Sequence, residues 1–219
     1  MLENVLFDFD GVIIDSEKVY LETIKEFLNK KNIIFEKSEL IYLIGKPGIE
    51  ISTDLVDKYL LNITTIELDK KLDIALERKL YQMKIPVFEG IKKLMEEIIS
   101  SEELKITIVS TSDEMFIKTA LLDCGLDQYV SLIVTPKNVD NPKPAPDIYL
   151  KTIDMLSLQP DEVIVFEDSY NGILSAKRAE LKVIAFKGSE VEQNTNMADY
   201  VIYNYSEVSV NKLKKILSE

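Results

Sequence analysis

The sequence of 219 residues contains no histidine. That absence removes Ser-His-Asp triads, Cys-His pairs, histidine-bound zinc and imidazole acid–base catalysis. An enzyme built from this chain must draw its acids and bases from carboxylates, lysine or tyrosine. Any metal must be held by oxygen, which favours Mg2+, Mn2+ or Ca2+. Cysteine is nearly absent too. Cys124 is the only one and cannot form an internal bridge; its setting between Ala120 and Leu126 reads as core filling near a helix end. Positive charge is in deficit, with 26 Lys and Arg against 38 Asp and Glu, a formal net charge of −12. That balance argues against nucleic acid or an anionic membrane as partner. It leaves room for a small anionic substrate, because a metal and one or two lysines reverse the potential locally. No apolar run approaches a membrane span, and no basic stretch leads into an apolar core at the start of the sequence, so the expected compartment is the cytoplasm. A chain of this size buries roughly 70% of its unfolded surface, enough for a core without disulfides.

The stretch from Val5 to Ile14 is where chemistry first shows. Its apolar and aromatic run reads as a strand buried on both faces, as in a parallel sheet. Two carboxylates, Asp8 and Asp10, interrupt it. On a regular strand they point to the same side, roughly 7 Å apart. Gly11 then ends the strand and lets backbone approach a ligand closely. Like charges this near one another need a cation between them or a proton on one of them.

Beyond it, Asp15 or Ser16 caps a helix through Val19, Tyr20, Ile24, Phe27 and Leu28. Ser38 caps a short segment from Glu39 to Ile44 that stops at Gly45-Lys46-Pro47-Gly48. A helix from Ile49 to Leu61 follows. Thr64 and Glu67 have capping-box spacing for another helix running to about Gln82. From there strands and helices alternate. The strands are Lys105–Ser110, Ser131–Thr135, Glu162–Phe166, Val183–Phe186 and Tyr200–Tyr203. The helices are Gly90–Ile99, Glu114–Cys124, one that Asp147 caps and that runs to Leu156, Asn171–Leu181 and Val208–Leu217. This order predicts an α/β fold, a doubly wound, mainly parallel Rossmann-like sheet. Residues 1–14 and 85–219 form the α/β core domain, and residues 15–84 an inserted all-helical domain.

Ligands of such sheets bind beyond the carboxyl ends of the strands. There the first strand delivers Asp8 and Asp10, the second Ser110-Thr111-Ser112-Asp113, the loop after the third Lys143 between Pro142 and Pro144, and the fourth Glu167-Asp168-Ser169. Each group alone is an ordinary cap or turn. Together they supply acids for a hard cation, hydroxyl and amide donors for phosphate oxygens, and a cation for phosphate charge, which is the chemistry of phosphoryl transfer.

With Asp8-Phe-Asp-Gly-Val, Ser110, Lys143 in Lys-Pro-Ala-Pro-Asp, and Glu167-Asp168 in this order, the sequence resembles the haloacid dehalogenase-like superfamily, in the branch of β-phosphoglucomutase and sugar-phosphate phosphatases. The helical insert looks like that branch's cap domain. The resemblance implies that Asp8 is a nucleophile forming an aspartyl-phosphate and that Asp10 is the general acid and then the general base. It also implies Mg2+ held by Asp8, the Asp10 carbonyl, Asp168 and Glu167. Ser110 and the Thr111 amide would bind phosphate, and Lys143 would neutralise developing charge. An acid two positions after the nucleophile argues against a dehalogenase. A phosphonate hydrolase would need a Schiff-base lysine, for which Lys46 lies in the right region. Mutases of this branch carry a His where Tyr20 stands and an Arg near Gly45–Gly48. The reading is therefore a phosphatase acting on a small phosphorylated metabolite, with a β-phosphoglucomutase-like phosphomutase as the alternative. Tyr20, Lys46, Arg78 and Lys79 are the insert's candidates for touching substrate. A phospho-receiver module would place its acceptor Asp where Thr135 stands and would carry no helical insert. Monomer or weak homo-oligomer is the expected state.

Overall fold

The computed structural model describes residues 1–36, 39–40, 43, 48–82, 86–101, 103–189 and 194–219. The chain divides into two compact units, one of Ser16–Lys84 and one of Met1–Asp15 with Ile85–Glu219.

The first unit holds helices α1 (Ser16–Lys30), α2 (Gly48–Lys58) and α3 (Thr65–Gln82). Apolar residues at helical spacing meet in its core, with Ile24 and Leu28 of α1, Ile51 and Leu55 of α2, and Leu68 and Leu72 of α3. The expected capping box starts α3. The Thr64 amide donates to Glu67 Oε2 at 3.1 Å, and the Glu67 amide donates to Thr64 Oγ1 at 3.3 Å. The expected segment from Ser38 to Ile44 lies mostly outside the described residues, as does Lys46.

The second unit is built on strands β1 (Asn4–Phe7), β2 (Lys105–Val109), β3 (Leu132–Val134), β4 (Val163–Glu167), β5 (Lys182–Phe186) and β6 (Tyr200–Ile202). All pairings are parallel, in the order β3-β2-β1-β4-β5-β6. Helices α4 (Ile91–Ile99), α5 (Glu114–Cys124), α6 (Asp147–Leu156), α7 (Tyr170–Arg178) and α8 (Val210–Ser218) accompany them. The central strands are apolar on successive residues because both faces are covered: Val5, Leu6, Phe7, Ile164, Val165 and Phe166 are fully buried. Each such side chain contributes about 1.5–3 kcal/mol relative to exposure. The rings of Phe7 and Phe166 stack at 4.7 Å across the β1–β4 pair. Among the described residues, no helix is long and apolar enough to cross a membrane.

Three details differ from the sequence reading. Strand β1 ends at Phe7, so Asp8 and Asp10 do not share the face of a regular strand. A turn takes over, in which the amides of Ile13 and Ile14 both donate to the Phe9 carbonyl, at 2.9 and 3.2 Å. Phe9, Val12, Ile13 and Ile14 are all buried inside that turn, so apolarity here marks enclosure rather than a strand. Asp147 is the first residue of α6 rather than its cap, and its carboxylate accepts from Asn141 Nδ2 at 2.7 Å. Helix α7 starts one residue before the expected Asn171 and stops at Arg178, short of Leu181.

Candidate active site

Strand order reverses at β1, with β2 on one side and β4 on the other, which is where parallel α/β sheets open a crevice. Register brings the acids together there. Phe7 pairs with Phe166 of β4 and Ile108 of β2, so the next step sets Asp8 beside Glu167 and Val109. The Asp8 amide continues the ladder, donating to the Phe166 carbonyl at 2.9 Å.

Lys143 is the counterion. Its Nζ donates to Asp8 Oδ1 at 2.7 Å, to Glu167 Oε1 at 2.6 Å and to the Val109 carbonyl at 3.1 Å. All three ammonium hydrogens are thereby used. The loop carrying Lys143 is fastened to α7: Arg178 Nη1 donates to the Pro144 carbonyl at 2.9 Å, and Ser175 Oγ to the Ala145 carbonyl at 2.6 Å. Neither anchor was legible in the sequence, because each lies some thirty positions from the loop it holds.

Two glycines make room for the acids. Gly11 has φ of 74°, and a β-carbon there would lie 2.0 Å from Asp168 Oδ2. In α7 a β-carbon on Gly172 would lie 2.0 Å from Glu167 Oε2. Ser169 caps α7, accepting from the Gly172 amide at 3.0 Å, so the Glu-Asp-Ser run turns directly from strand into helix.

The carboxylates of Asp8, Glu167 and Asp168 each offer an oxygen, and these lie within 4.8 Å of one another. Ionised together at that spacing they repel by roughly 3 kcal/mol or more per pair, even at an effective dielectric of about 20. Burial pushes the Asp8 carboxyl up to about 8; Lys143 pulls it down and Glu167 raises it further. Lys143 is held well above its usual range by Asp8 and Glu167, which outweigh the cost of burying it. One ammonium therefore does not balance the cluster. An all-oxygen donor set, glycine-cleared approaches and surplus negative charge fit a hard divalent cation.

Ser110 is buried at the end of β2, and its Oγ accepts from the Ser112 amide at 3.1 Å. Thr111 is exposed beside it. Asp10 accepts from Ser112 Oγ at 2.5 Å, a contact that gives Ser112 a share in holding it. In the helical unit, Tyr20 is half-buried with its hydroxyl enclosed and unpartnered among the described residues. Burial and the carboxylates of Asp73 and Asp69 raise its phenol further. Arg78 is exposed, and Lys79 is bound to Glu26 at 2.8 Å and Glu22 at 3.5 Å. Sequence reasoning missed Tyr149, whose hydroxyl donates to Glu167 Oε1 at 2.7 Å from full burial. The available signal was a tyrosine at a core position, since a buried phenol needs a polar partner.

Comparison with known proteins adds the lineage. The family described as haloacid dehalogenase-like hydrolase matches residues 5–186. A phosphorylated carbohydrates phosphatase of Thermotoga maritima is 26% identical over 183 residues, 84% of this chain and 84% of that protein. A fructose-1-phosphate phosphatase of Escherichia coli is 26% identical over 182 residues, 83% of this chain and 94% of its own length. A crystal structure solved as a candidate β-phosphoglucomutase of Thermotoga maritima superposes with a TM-score of 0.80 at 23% identity, covering 98% of this chain and 99% of that one.

Proposed function

The chain is an enzyme of the haloacid dehalogenase-like hydrolase family, and from that premise we propose that it is a cytoplasmic, Mg2+-dependent phosphatase acting on a small phosphorylated metabolite, a sugar phosphate, through a phosphorylated aspartate. The observation that carries this reading is the meeting of Asp8 with Lys143, Glu167 and Asp168 at the carboxyl ends of β1 and β4. The phosphatase relatives of similar length give the substrate class its support.

In this scheme an Asp8 carboxylate oxygen attacks phosphorus in line with the ester oxygen. The P–O ester bond breaks, and the departing alkoxide takes a proton from Asp10. Water then gives a proton back to Asp10 and attacks the same phosphorus; the P–O bond to Asp8 breaks, and inorganic phosphate leaves with both side chains restored. Ser110 Oγ and the Thr111 amide hold phosphate oxygens, and Lys143 offsets the charge that grows on them. Asp8, Glu167 and Asp168, with the Asp10 carbonyl, would hold Mg2+, which when bound supplies positive charge to the transferring group. Residues 15–84 serve as the family's cap domain in this reading.

A phosphomutase would share the nucleophile but return the phosphate to a second hydroxyl of the sugar. The fold likeness to the Thermotoga structure does not separate the two. The chain has no histidine for the position Tyr20 occupies, which favours hydrolysis. The test is a phosphate-release screen over phosphorylated metabolites, run with wild type and Asp8→Asn, in Mg2+ and in EDTA. Release that needs both Mg2+ and Asp8 is expected. Turnover surviving in Asp8→Asn or in EDTA would remove the scheme, and phosphate moved within the sugar without release would replace it with the mutase.

A further inference from the structure

Tyr149 sits in the first turn of α6 with its ring in the core, among Ile148, Val109 and Val165. Nothing in that packing requires a hydroxyl, since phenylalanine would fill the same space. Among the described residues the hydroxyl serves one hydrogen bond, donating to Glu167 Oε1 at 2.7 Å. The same oxygen takes Lys143 Nζ at 2.6 Å, and Nζ stands 5.1 Å from the centre of the Tyr149 ring. One phenol thus touches both members of the ion pair.

We propose that Tyr149 is a positioning residue for the acidic cluster, holding Glu167 with one oxygen turned inward so that the other is presented to a divalent cation. The inference rests on the reading that this cluster takes such a cation. Both strong donors converge on Oε1, whereas the hydrogen bond that Oε2 accepts, from Ser169 Oγ, is long at 3.4 Å. The two donors are not equivalent. Lys143 is divided among Asp8, Glu167 and the Val109 carbonyl, and it is also the side chain a bound phosphate would attract. Its ammonium is repelled by any cation that Glu167 ligates. A neutral phenol carries no such repulsion, so Tyr149 is the donor that stays on Glu167 when the site is loaded. Partners of this kind around metal-holding side chains set affinity as well as orientation.

The experiment compares three full-length proteins: wild type, Tyr149→Phe and Thr152→Val. Thr152 is the control, because its buried hydroxyl lies on the same helix but donates to the Ile148 carbonyl, at 2.7 Å, and among the described residues not to the acidic cluster. Mn2+ binding is measured by titration calorimetry, and phosphate release is followed with p-nitrophenyl phosphate. For Tyr149→Phe we expect a Mn2+ dissociation constant about tenfold or more above wild type and a matching fall in kcat. Its KM for the ester should stay close to wild type, and Thr152→Val should bind Mn2+ as wild type does. The proposal is overturned if Tyr149→Phe binds Mn2+ like wild type, if both variants weaken alike, or if Tyr149→Phe no longer melts cooperatively, since the hydroxyl would then serve the fold. Wild type that binds Mn2+ but releases no phosphate from any ester would sink the phosphatase reading, while a weakened Tyr149→Phe would still support this one. Wild type that binds no Mn2+ would sink both.

Discussion

Gly11 shows how much a missing β-carbon can decide. Its φ of 74° is a left-handed conformation that costs other residues roughly 1–2 kcal/mol, and a β-carbon 2.0 Å from Asp168 Oδ2 leaves no room for that carboxylate. The turn cannot yield freely, because Phe9, Val12, Ile13 and Ile14 are packed beneath it, so the carboxylate is the group that gives way. Gly11→Ala is therefore expected to displace Asp168 rather than unfold the chain. Phosphate release should fall by about 100-fold, the scale of an ångström-sized misplacement at a reacting centre, and half its maximal rate should be reached only at higher Mg2+. Steady-state kinetics against Mg2+ concentration check this; a variant with wild-type kinetics would show that Asp168 has another place to go. The same logic at Gly172 protects Glu167.

At the level of elements, the helical unit carries its own acid-sensitive fastening. Glu39 is held down to about 2 by a hydrogen bond from Lys58, then by the Glu36 amide and the Tyr59 hydroxyl. Lys58 and Tyr59 come from the end of α2 and just beyond, so the contact joins segments nearly twenty residues apart. A carboxyl whose folded pKa lies below its unfolded 4.5 adds stability above that value and loses it as pH falls towards about 2. Glu39→Gln should flatten that acid limb. Helix content followed by circular dichroism during acid titration is the measurement, and an unchanged limb would mean that the contact is screened away by solvent. In the sheet, by contrast, α7 acts as a scaffold for chemistry: it anchors the lysine loop through Ser175 and Arg178 and clears space for Glu167 at Gly172.

Taken whole, the protein keeps a surplus of negative charge buried at one end of its sheet, and that surplus couples folding to pH and to metal. Asp8 in the folded chain holds its proton up to about 8, whereas its ordinary value is 3.8. Between those limits the folded state binds more protons than the unfolded one, so in EDTA this group lowers stability as pH rises through the window. A cation that takes the proton's place reverses the trend. Mg2+ is expected to raise the melting temperature, by several degrees at a hundredfold excess over Kd, where the stabilisation is about 2.7 kcal/mol. The rise should be larger near the upper end of the window than in the middle. Calorimetry in Mg2+ and in EDTA at several pH values checks both statements, and Asp8→Asn should lose the pH dependence of the difference.

The kind of sheet and the kind of chemistry were both legible from local pattern. Unbroken apolar runs such as Val163–Phe166 are readable because burial on both faces is written into each residue in turn, and the lack of histidine restricts the acids and bases whatever the fold. The capping box at Thr64 was readable for the same reason, being complete within four residues. What tertiary structure decided was which groups touch. That β1 stops at Phe7, that its register against β4 sets Asp8 beside Glu167, and that α6 brings a phenol to the same oxygen as Lys143 all depend on pairings between distant segments. Local pattern cannot encode them, since a buried tyrosine and a buried phenylalanine have the same periodicity, and only the partner across the fold tells them apart.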